Sequence, residues 1–131
     1  MTEARIGRQP TRQLKTLLRR ADFLRVAAAR RRSVTPGFIL QAAIQPEDIA
    51  EHAPRVGYTA SRKVGNAVIR NRAKRRLRAI VRELMPSLAK DGTDYVLIAR
   101  QETPARDFAL LQDDLRHALQ RVEPRRQRAA S

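Results

Sequence analysis

The sequence predicts an α+β fold, a two-layer α/β sandwich in which helices cover one mixed sheet. Three short apolar runs, at residues 38–44, 55–61 and 93–99, have the length and composition of β-strands. Segments with apolar residues three to four apart lie around them, as in amphipathic helices. The predicted order is helix, strand, strand, helix, strand, helix (α-β-β-α-β-α), and a chain of 131 residues suffices for one such domain.

The first helix is predicted at residues 20 to about 31. This segment is rich in alanine and contains neither glycine nor proline, so helical propensity favours it. Phe23, Val26, Ala27 and Arg30 would share one face, because side chains three and four residues apart meet on a helix.

The strands follow in two groups. The pair Pro36-Gly37 separates the helix from the strand at 38–44, and the strand at 55–61 comes next in the chain. These two strands are expected to form an antiparallel pair. The strand at 93–99 follows a turn that contains aspartate and glycine, and it is expected to join the sheet through a crossover connection.

Two more helices are predicted. The longer one begins at Ala67 after Asn66, a good N-cap, and is expected to stop at Pro86, because proline lacks the N–H that a helix interior requires. The last helix has Thr103 as its N-cap and Pro104 in first position. Its apolar residues recur at helical spacing and predict a packing stripe made of Phe108, Leu111, Leu115, Leu119 and Val122.

The ends of the chain differ from its middle. Residues 1–18 form a basic N-terminal arm that is expected to be disordered, residues 19–122 form the single domain, and residues 123–131 form a basic C-terminal tail. The chain has no apolar run of about 18 residues, and its N-terminus lacks the apolar stretch of a signal peptide. A cytoplasmic protein with no membrane partner is therefore expected.

The residues that would support protein-based catalysis or metal binding are sparse. Cysteine is absent, and His52 and His117 are too far apart in sequence for a readable zinc site, so no cofactor bound by the protein is predicted. The aspartates between residues 91 and 114 follow no catalytic motif, although acid–base or two-metal chemistry needs clustered carboxylates or histidines. A nuclease whose active site is made of protein groups is thus disfavoured, and no catalytic residue is predicted.

The charge balance indicates a polyanionic partner. The chain has 28 lysines and arginines against 13 aspartates and glutamates, which gives a formal net charge of +15. Phosphates would relieve this self-repulsion, so RNA or DNA is the first partner to consider. The cations concentrate between residues 62 and 82, where nine occur without an acid: Arg62, Lys63, Arg70, Arg72, Lys74, Arg75, Arg76, Arg78 and Arg82.

A helical projection separates this segment into two faces. The apolar stripe consists of Ile69, Ala73, Leu77, Ile80 and Leu84, and the adjacent arc consists of Arg70, Asn71, Lys74, Arg75, Arg78 and Arg82. Cations four residues apart repel by roughly 0.2–0.5 kcal/mol per pair, a cost that phosphates would offset. Solvated helix faces normally mix both signs of charge, whereas this arc is entirely positive. An RNA-binding helix is therefore predicted, since guanidinium groups fork onto phosphates and Asn71 can bond a base edge or a 2′-hydroxyl.

One family resembles this chain closely. Residues 57–78 read GYTASRKVGNAVIRNRAKRRLR, which is similar to the signature of the bacterial ribonuclease P protein subunit and includes its Arg-Asn-Arg motif at 70–72. Residues 21–23, 38–40 and 94–100 also resemble that family, so the resemblance extends from about residue 14 to 122. The RNA-binding residues predicted from the helix and the resemblance together are Arg62, Lys63, Asn66, Arg70, Asn71, Arg72, Lys74, Arg75 and Arg78.

The resemblance implies more than the pattern does. It implies a left-handed β-α-β crossover around the Arg-Asn-Arg helix, as in the second domain of ribosomal protein S5, where pattern rules alone assign a right-handed one. It also implies that the partners are ribonuclease P RNA and precursor tRNA, with no obligate protein partner. The RNA subunit with bound Mg²⁺ would be the catalyst, so the chain would be an accessory subunit of an endoribonuclease that removes the 5′ leader of precursor tRNA.

A cleft between the first helix and the sheet is implied as the leader-binding site. Phe23 matches the family's aromatic residue there, whereas Ala27 and Gln41 stand where the family often has a second aromatic and a tyrosine. Each stacked base contributes roughly 1–3 kcal/mol, so two missing platforms predict weaker leader binding unless Arg30, Gln41 or the basic turn at 30–32 substitutes. On composition alone, a ribosomal or chaperone-like RNA-binding protein remains the alternative.

Overall fold

One sheet of five strands organises the fold. The computed structural model describes residues 13–49 and 52–122, so the predicted C-terminal tail and residues 1–12 of the predicted arm lie outside the described residues. The strands are β1 (Lys15–Thr16), β2 (Arg31–Val34), β3 (Phe38–Ile44), β4 (Arg55–Thr59) and β5 (Thr93–Ala99), in the spatial order β1-β4-β5-β3-β2. β4 runs parallel to β1 and β5, while β3 is antiparallel to β2 and β5.

Three helices cover this sheet: α1 (Arg20–Ala28), α2 (Ala67–Leu88) and α3 (Phe108–Val122). α2 and α3 pack on one face, where the main core contains Leu40, Leu77 and Leu115. α1 packs on the other face through a smaller cluster that includes Val26 and Val96. The predicted α+β class is confirmed, and α1 adds a partial third layer to the two that were predicted. Within the part of the chain that the structure describes, no helix is long and apolar enough to cross a membrane.

Three predictions about the strands and the first helix need correction. β1 lies inside the predicted arm and Leu17 beside it is only 2% exposed, so the folded part begins before residue 19. The first helix ends at Ala28, because Arg30 turns the backbone into the left-handed region (φ 59°) and the unpredicted strand β2 begins. The expected antiparallel pair of β3 and β4 does not form, because β5 lies between them. A strand buried on both faces, as β5 is, belongs in the middle of a sheet.

Two helix boundaries also differ from the prediction. α2 continues through Pro86 to Leu88, since a proline removes only the hydrogen bond of its own N–H and just two helical residues follow it. α3 begins at Phe108 and not at Pro104, because Thr103 is used elsewhere. Its buried hydroxyl donates to the carbonyl oxygen of Gly37 (2.6 Å) and accepts from the N–H of Arg100 (2.8 Å), which ties the loop before α3 to the β2–β3 turn.

Candidate nucleic-acid interface

A tight turn fixes the start of α2. The hydroxyl of Ser61 accepts a hydrogen bond from the N–H of Lys63 (3.3 Å), and Gly65 has a φ of 151°, which favours glycine. The Asn66 side chain then accepts from the N–H of Ile69 (2.9 Å), so the predicted N-cap is confirmed. Arg62 and Lys63 are exposed on this turn, next to the first turn of α2.

The apolar stripe of α2 docks the helix on the sheet. Ala73, Leu77 and Ile80 are fully buried as predicted, and Val81 and Met85 extend the buried side. Leu84 is half-buried, while Ile69 at the N-terminal end is 36% exposed. The orientation of the helix is therefore fixed by packing, and so is the direction of its polar arc.

The basic face is defined here as Arg70, Asn71, Lys74, Arg75, Arg78 and Arg82 of α2. These residues are exposed or half-buried, and the guanidinium of Arg70 donates to the carbonyl oxygen of Gly65 (3.0 Å). Within residues 13–49 and 52–122, none of the cations of the basic face forms an ion pair with a carboxylate. The face therefore carries uncompensated positive charge on a rigid support.

Arg72 and Arg76 lie on the opposite flank of the helix. The Arg76 guanidinium donates to the carbonyl oxygens of Thr103 (2.8 Å) and Pro104 (3.1 Å), and it lies 5.9 Å from the centre of the Phe108 ring. Burial, and then the nearby charge of Arg72, lower the pKa of Arg76. Arg76 thus fastens α2 to the loop before α3, while Arg72 is exposed beside it.

Tyr58 belongs to this surface although the sequence did not single it out. The guanidinium of Arg78 lies 5.2 Å from the centre of its ring, within cation–π range. Burial raises the pKa of Tyr58 to about 12, and the charges of Arg78 and Arg82 partly oppose that shift. Tyr58 lies two residues after Val56 and so shares its face of β4, but the strand period does not predict its neighbour on α2.

The predicted cleft residues lie on the α1 side of the sheet. Phe23 is half-buried and packs against the cluster that contains Val96. Gln41 pairs in register with Val96 of β5 and therefore lies on that face of the sheet. Arg32 of β2, the strand on the other edge of β3, pairs in register with Gln41 and lies on the same face. Ala27 is exposed on α1. On this face Phe23 supplies an aromatic ring and Arg32 supplies a cation. The sequence pattern places Arg32 only in the basic turn at 30–32.

An ionic network holds α1 against the sheet. Asp94 is fully buried in β5 and accepts two hydrogen bonds from the guanidinium of Arg55 (2.8 and 2.7 Å) and one from Arg25 of α1. Asp22 of α1 lies 3.2 Å from Arg25 and 3.5 Å from Arg55. The hydrogen bond to Asp94 is the main cause of the raised pKa of Arg55. Because Asp22 and Arg25 belong to α1, this network fixes the position of the helix that carries Phe23.

The buried carboxylates are occupied by arginines. Asp94 is bound as described, and Asp114 accepts from Arg106 at 2.8 and 3.1 Å. In the two described stretches, no group of three or more histidines, cysteines, aspartates or glutamates is arranged to hold a metal ion. These carboxylates therefore serve to tie elements together.

Comparison with known proteins identifies the family. The family model of ribonuclease P matches residues 12–123. The ribonuclease P protein component of Paramagnetospirillum magneticum is 53% identical over 111 residues, which cover 84% of each chain. The component of Ruegeria pomeroyi is 47% identical over 110 residues, which cover 83% of this chain and 86% of the relative.

Solved structures agree with these matches. The ribonuclease P protein of Thermotoga maritima superposes with a TM-score of 0.70 at 27% identity, covering 84% of this chain and 99% of the other. The Staphylococcus aureus protein superposes with a TM-score of 0.66 at 28% identity, covering 82% and 94%. The chain therefore belongs to the family of ribonuclease P protein components, which act in tRNA 5′ processing.

Proposed function

We propose that this chain is the protein subunit of a ribonuclease P ribonucleoprotein, and that the N-terminal part of its basic face, which carries Arg70, Asn71, Lys74 and Arg75, binds the catalytic RNA. The observation that carries the proposal is the uncompensated charge of the basic face, whose cations have no carboxylate partner among the described residues. Repulsion between cations four residues apart costs the isolated helix a few tenths of a kcal/mol per pair. Bound phosphates would remove this repulsion and so contribute to the binding free energy. Because α2 is already packed on the sheet, it need not become ordered when RNA binds.

The cleft beside α1 is proposed to bind the 5′ leader of precursor tRNA. Single-stranded RNA is held by aromatic stacking and by cations that follow its backbone, and Phe23 and Arg32 supply one group of each kind on this face. Gln41 lies beside them and can hydrogen-bond a base edge. Ala27 adds no stacking platform, so we expect leader affinity to depend mainly on Phe23.

Catalysis is assigned to the RNA subunit with bound Mg²⁺, which cleaves the leader from the mature 5′ end. The protein supplies no reacting group in this proposal, which is supported by the engagement of Asp94 and Asp114 with arginines. Its contribution is to bind both RNAs and to screen their mutual repulsion. We propose a cytoplasmic location and no obligate protein partner.

A structural detail of the family belongs to the same proposal. We expect the crossover from β4 through α2 to β5 to be left-handed, against the usual preference for right-handed connections. The parallel pairing of β4 with β5 is the geometry in which handedness is defined. An experimental structure that showed a right-handed crossover would contradict this expectation.

Reconstitution tests the proposed function. The protein is mixed with a bacterial ribonuclease P RNA and a precursor tRNA at low Mg²⁺, where screening of repulsion matters most, and cleavage at the mature 5′ end is measured. We expect strong stimulation by the protein. Absence of stimulation, with the RNA active alone at high Mg²⁺, would favour the alternative of a ribosomal or chaperone-like RNA-binding protein.

Variants of the basic face sharpen this test. Arg75→Ala should reduce the salt dependence of RNA binding by roughly 0.7–0.9 in the slope of log K against log salt, the contribution of one neutralised phosphate. The matched control is Arg121→Ala, which removes an exposed cation in the last turn of α3. Equal slopes for wild type and Arg75→Ala would remove this residue from the RNA surface.

A further inference from the structure

A groove, distinct from the cleft beside α1, lies at the outer edge of β4. It has a volume of about 350 Å³ and is bounded by residues 14–18 on one side and by the second half of α2 on the other. Small-molecule pockets span roughly 300–1,000 Å³, so this groove has the size for a compact ligand such as one nucleotide. Phe23 lines it as well, which makes the groove continuous with the cleft beside α1.

The groove exists because β1 is short. β1 pairs with β4 only at Arg55 and Val56, and the N–H of Leu17 then donates to the carbonyl oxygen of Val56 (3.0 Å). Backbone groups of alternate residues point to the same side of a strand, so those of Tyr58 face this edge beyond the end of β1. The groove therefore presents a backbone donor and acceptor beside aromatic and aliphatic side chains.

The described residues around the groove carry charge of one sign. Their side chains include the cations Lys15, Arg78 and Arg82 and no carboxylate. Arg78 is held over the Tyr58 ring at 5.2 Å, which keeps one guanidinium at the wall of the groove. The apolar part of the lining includes Leu17 and Phe23. An anionic group next to a flat apolar group is the chemistry that fits, and a nucleotide has both.

We propose that this groove binds one unstacked nucleotide of the precursor tRNA leader, an inference that rests on the proposed function. Its phosphate contacts Arg78 and Arg82, and its base lies against Phe23 with its edge toward the backbone of Tyr58. The leader is favoured over the catalytic RNA for two reasons. A single strand can splay out a base without breaking base pairs, and a strand that lies on Phe23 in the cleft reaches the groove by turning around the edge of β4.

Leader length provides the first test. The holoenzyme is assembled with saturating protein, and affinity is measured for mature tRNA and for precursors whose leaders grow one nucleotide at a time. Arg82→Gln should weaken binding roughly ten-fold, the scale of one lost base or phosphate contact, and only for leaders longer than a threshold. Arg121→Gln, an equal charge change on α3, should leave every affinity unchanged.

The outcomes separate the two proposals. If the wild-type holoenzyme shows no gain in affinity from any leader, the proposed leader binding fails together with the groove. If the wild type gains affinity with leader length and Arg82→Gln gains it equally, only the groove assignment is overturned. A uniform loss for mature tRNA and all precursors would also overturn it, since Arg82 would then act on the catalytic RNA.

Photo-crosslinking identifies the occupant directly. Leu18 is 81% exposed at the rim of the groove, so Leu18→p-benzoylphenylalanine places a photoreactive group there without disturbing the core. A crosslink to a leader nucleotide beyond the threshold length supports the proposal. Crosslinks that map to the catalytic RNA, or to residues 1–12 of the same chain, would assign the groove to those occupants and overturn it.

Discussion

The substitution Asp94→Asn removes the charge at the centre of the network that holds α1 on the sheet. The carboxylate of Asp94 is bound by Arg55 at 2.8 and 2.7 Å and by Arg25 of α1. Asparagine has nearly the same shape, so the core stays filled and the loss is electrostatic. With its amide oxygen in the Oδ2 position, asparagine can still accept from Arg25 and from one nitrogen of Arg55, while its NH₂ group faces the other nitrogen of Arg55 as a second donor.

The size of the effect follows from burial. Asp94 is fully buried, and the side chains of Arg25 and Arg55 are 31% and 18% exposed. Breaking a buried ion pair by removing one partner costs about 3–5 kcal/mol. Because asparagine keeps part of this hydrogen bonding and both arginines reach solvent in part, we expect a loss at the lower end of this range, about 3 kcal/mol. For a domain of this size that corresponds to a decrease in melting temperature of about 10 °C.

Urea unfolding followed by circular dichroism measures this loss. The matched control is Asp113→Asn, whose carboxylate forms an exposed pair with Arg116 and should change the free energy of unfolding by under about 0.5 kcal/mol. In the double variant Asp94→Asn/Arg25→Gln, the Arg25→Gln change should lower the free energy of unfolding less than it does in wild type. The reason is that Arg25 has already lost its charged partner when Asp94 is asparagine. A loss below about 1 kcal/mol for Asp94→Asn, or strict additivity in the double variant, would refute the reasoning.

Three further predictions concern single positions. Gly65→Ala should destabilise the protein by about 1–3 kcal/mol in urea unfolding, because φ is 151° and the added Cβ would lie 2.8 Å from Ile69. Gly57→Ala should lower affinity for precursor tRNA more than for mature tRNA, since the added Cβ would lie 2.5 Å from the Phe23 ring and displace it. Burial raises the pKa of Tyr58 to about 12. The unfolded chain therefore loses this proton first, and stability should fall between about pH 10 and 12 by roughly 2–3 kcal/mol more in wild type than in Tyr58→Phe.

Each of these predictions has a result that would contradict it. Unchanged stability of Gly65→Ala would show that the turn before α2 tolerates a side chain. Equal weakening of both RNAs by Gly57→Ala, or a full effect of that substitution when Phe23 is already leucine, would show that the ring is not the cause. Parallel pH profiles for wild type and Tyr58→Phe would mean that the hydroxyl titrates alike in the folded and unfolded chains.

Many features of the basic helix could be predicted from the sequence, because they depend on residues close together in the chain. The N-cap at Asn66 and the buried positions of Ala73, Leu77 and Ile80 depend on spacing along one helix, and the structure confirms them. The uniform sign of the charge is likewise a property of composition. Local patterns of this kind are decided within a few turns of helix, where the sequence separation of the interacting residues is small.

The errors arose where distant segments interact. The antiparallel pairing of β3 and β4 failed because β5 is buried on both faces and takes the central place. β1 has two residues and little apolar pattern, and it forms because the edge of β4 is available to pair. Thr103 looked like a helix cap, yet its hydroxyl reaches the carbonyl oxygen of Gly37, sixty-six positions away in sequence. Contacts between residues so far apart in sequence cannot be predicted from a local pattern.

The sequence by itself determined the α+β class, the basic helix with its docking stripe, and the resemblance that the comparisons confirmed. Only the tertiary structure separated Arg76, which binds backbone carbonyls of the loop before α3, from the cations left free to face RNA. It also brought Arg78 and Arg82 to Tyr58 beside the short strand β1, and so formed the groove. The reason is that side-chain chemistry and helical spacing are local properties of the sequence. Contacts between polar groups, in contrast, depend on the order of the strands in the sheet.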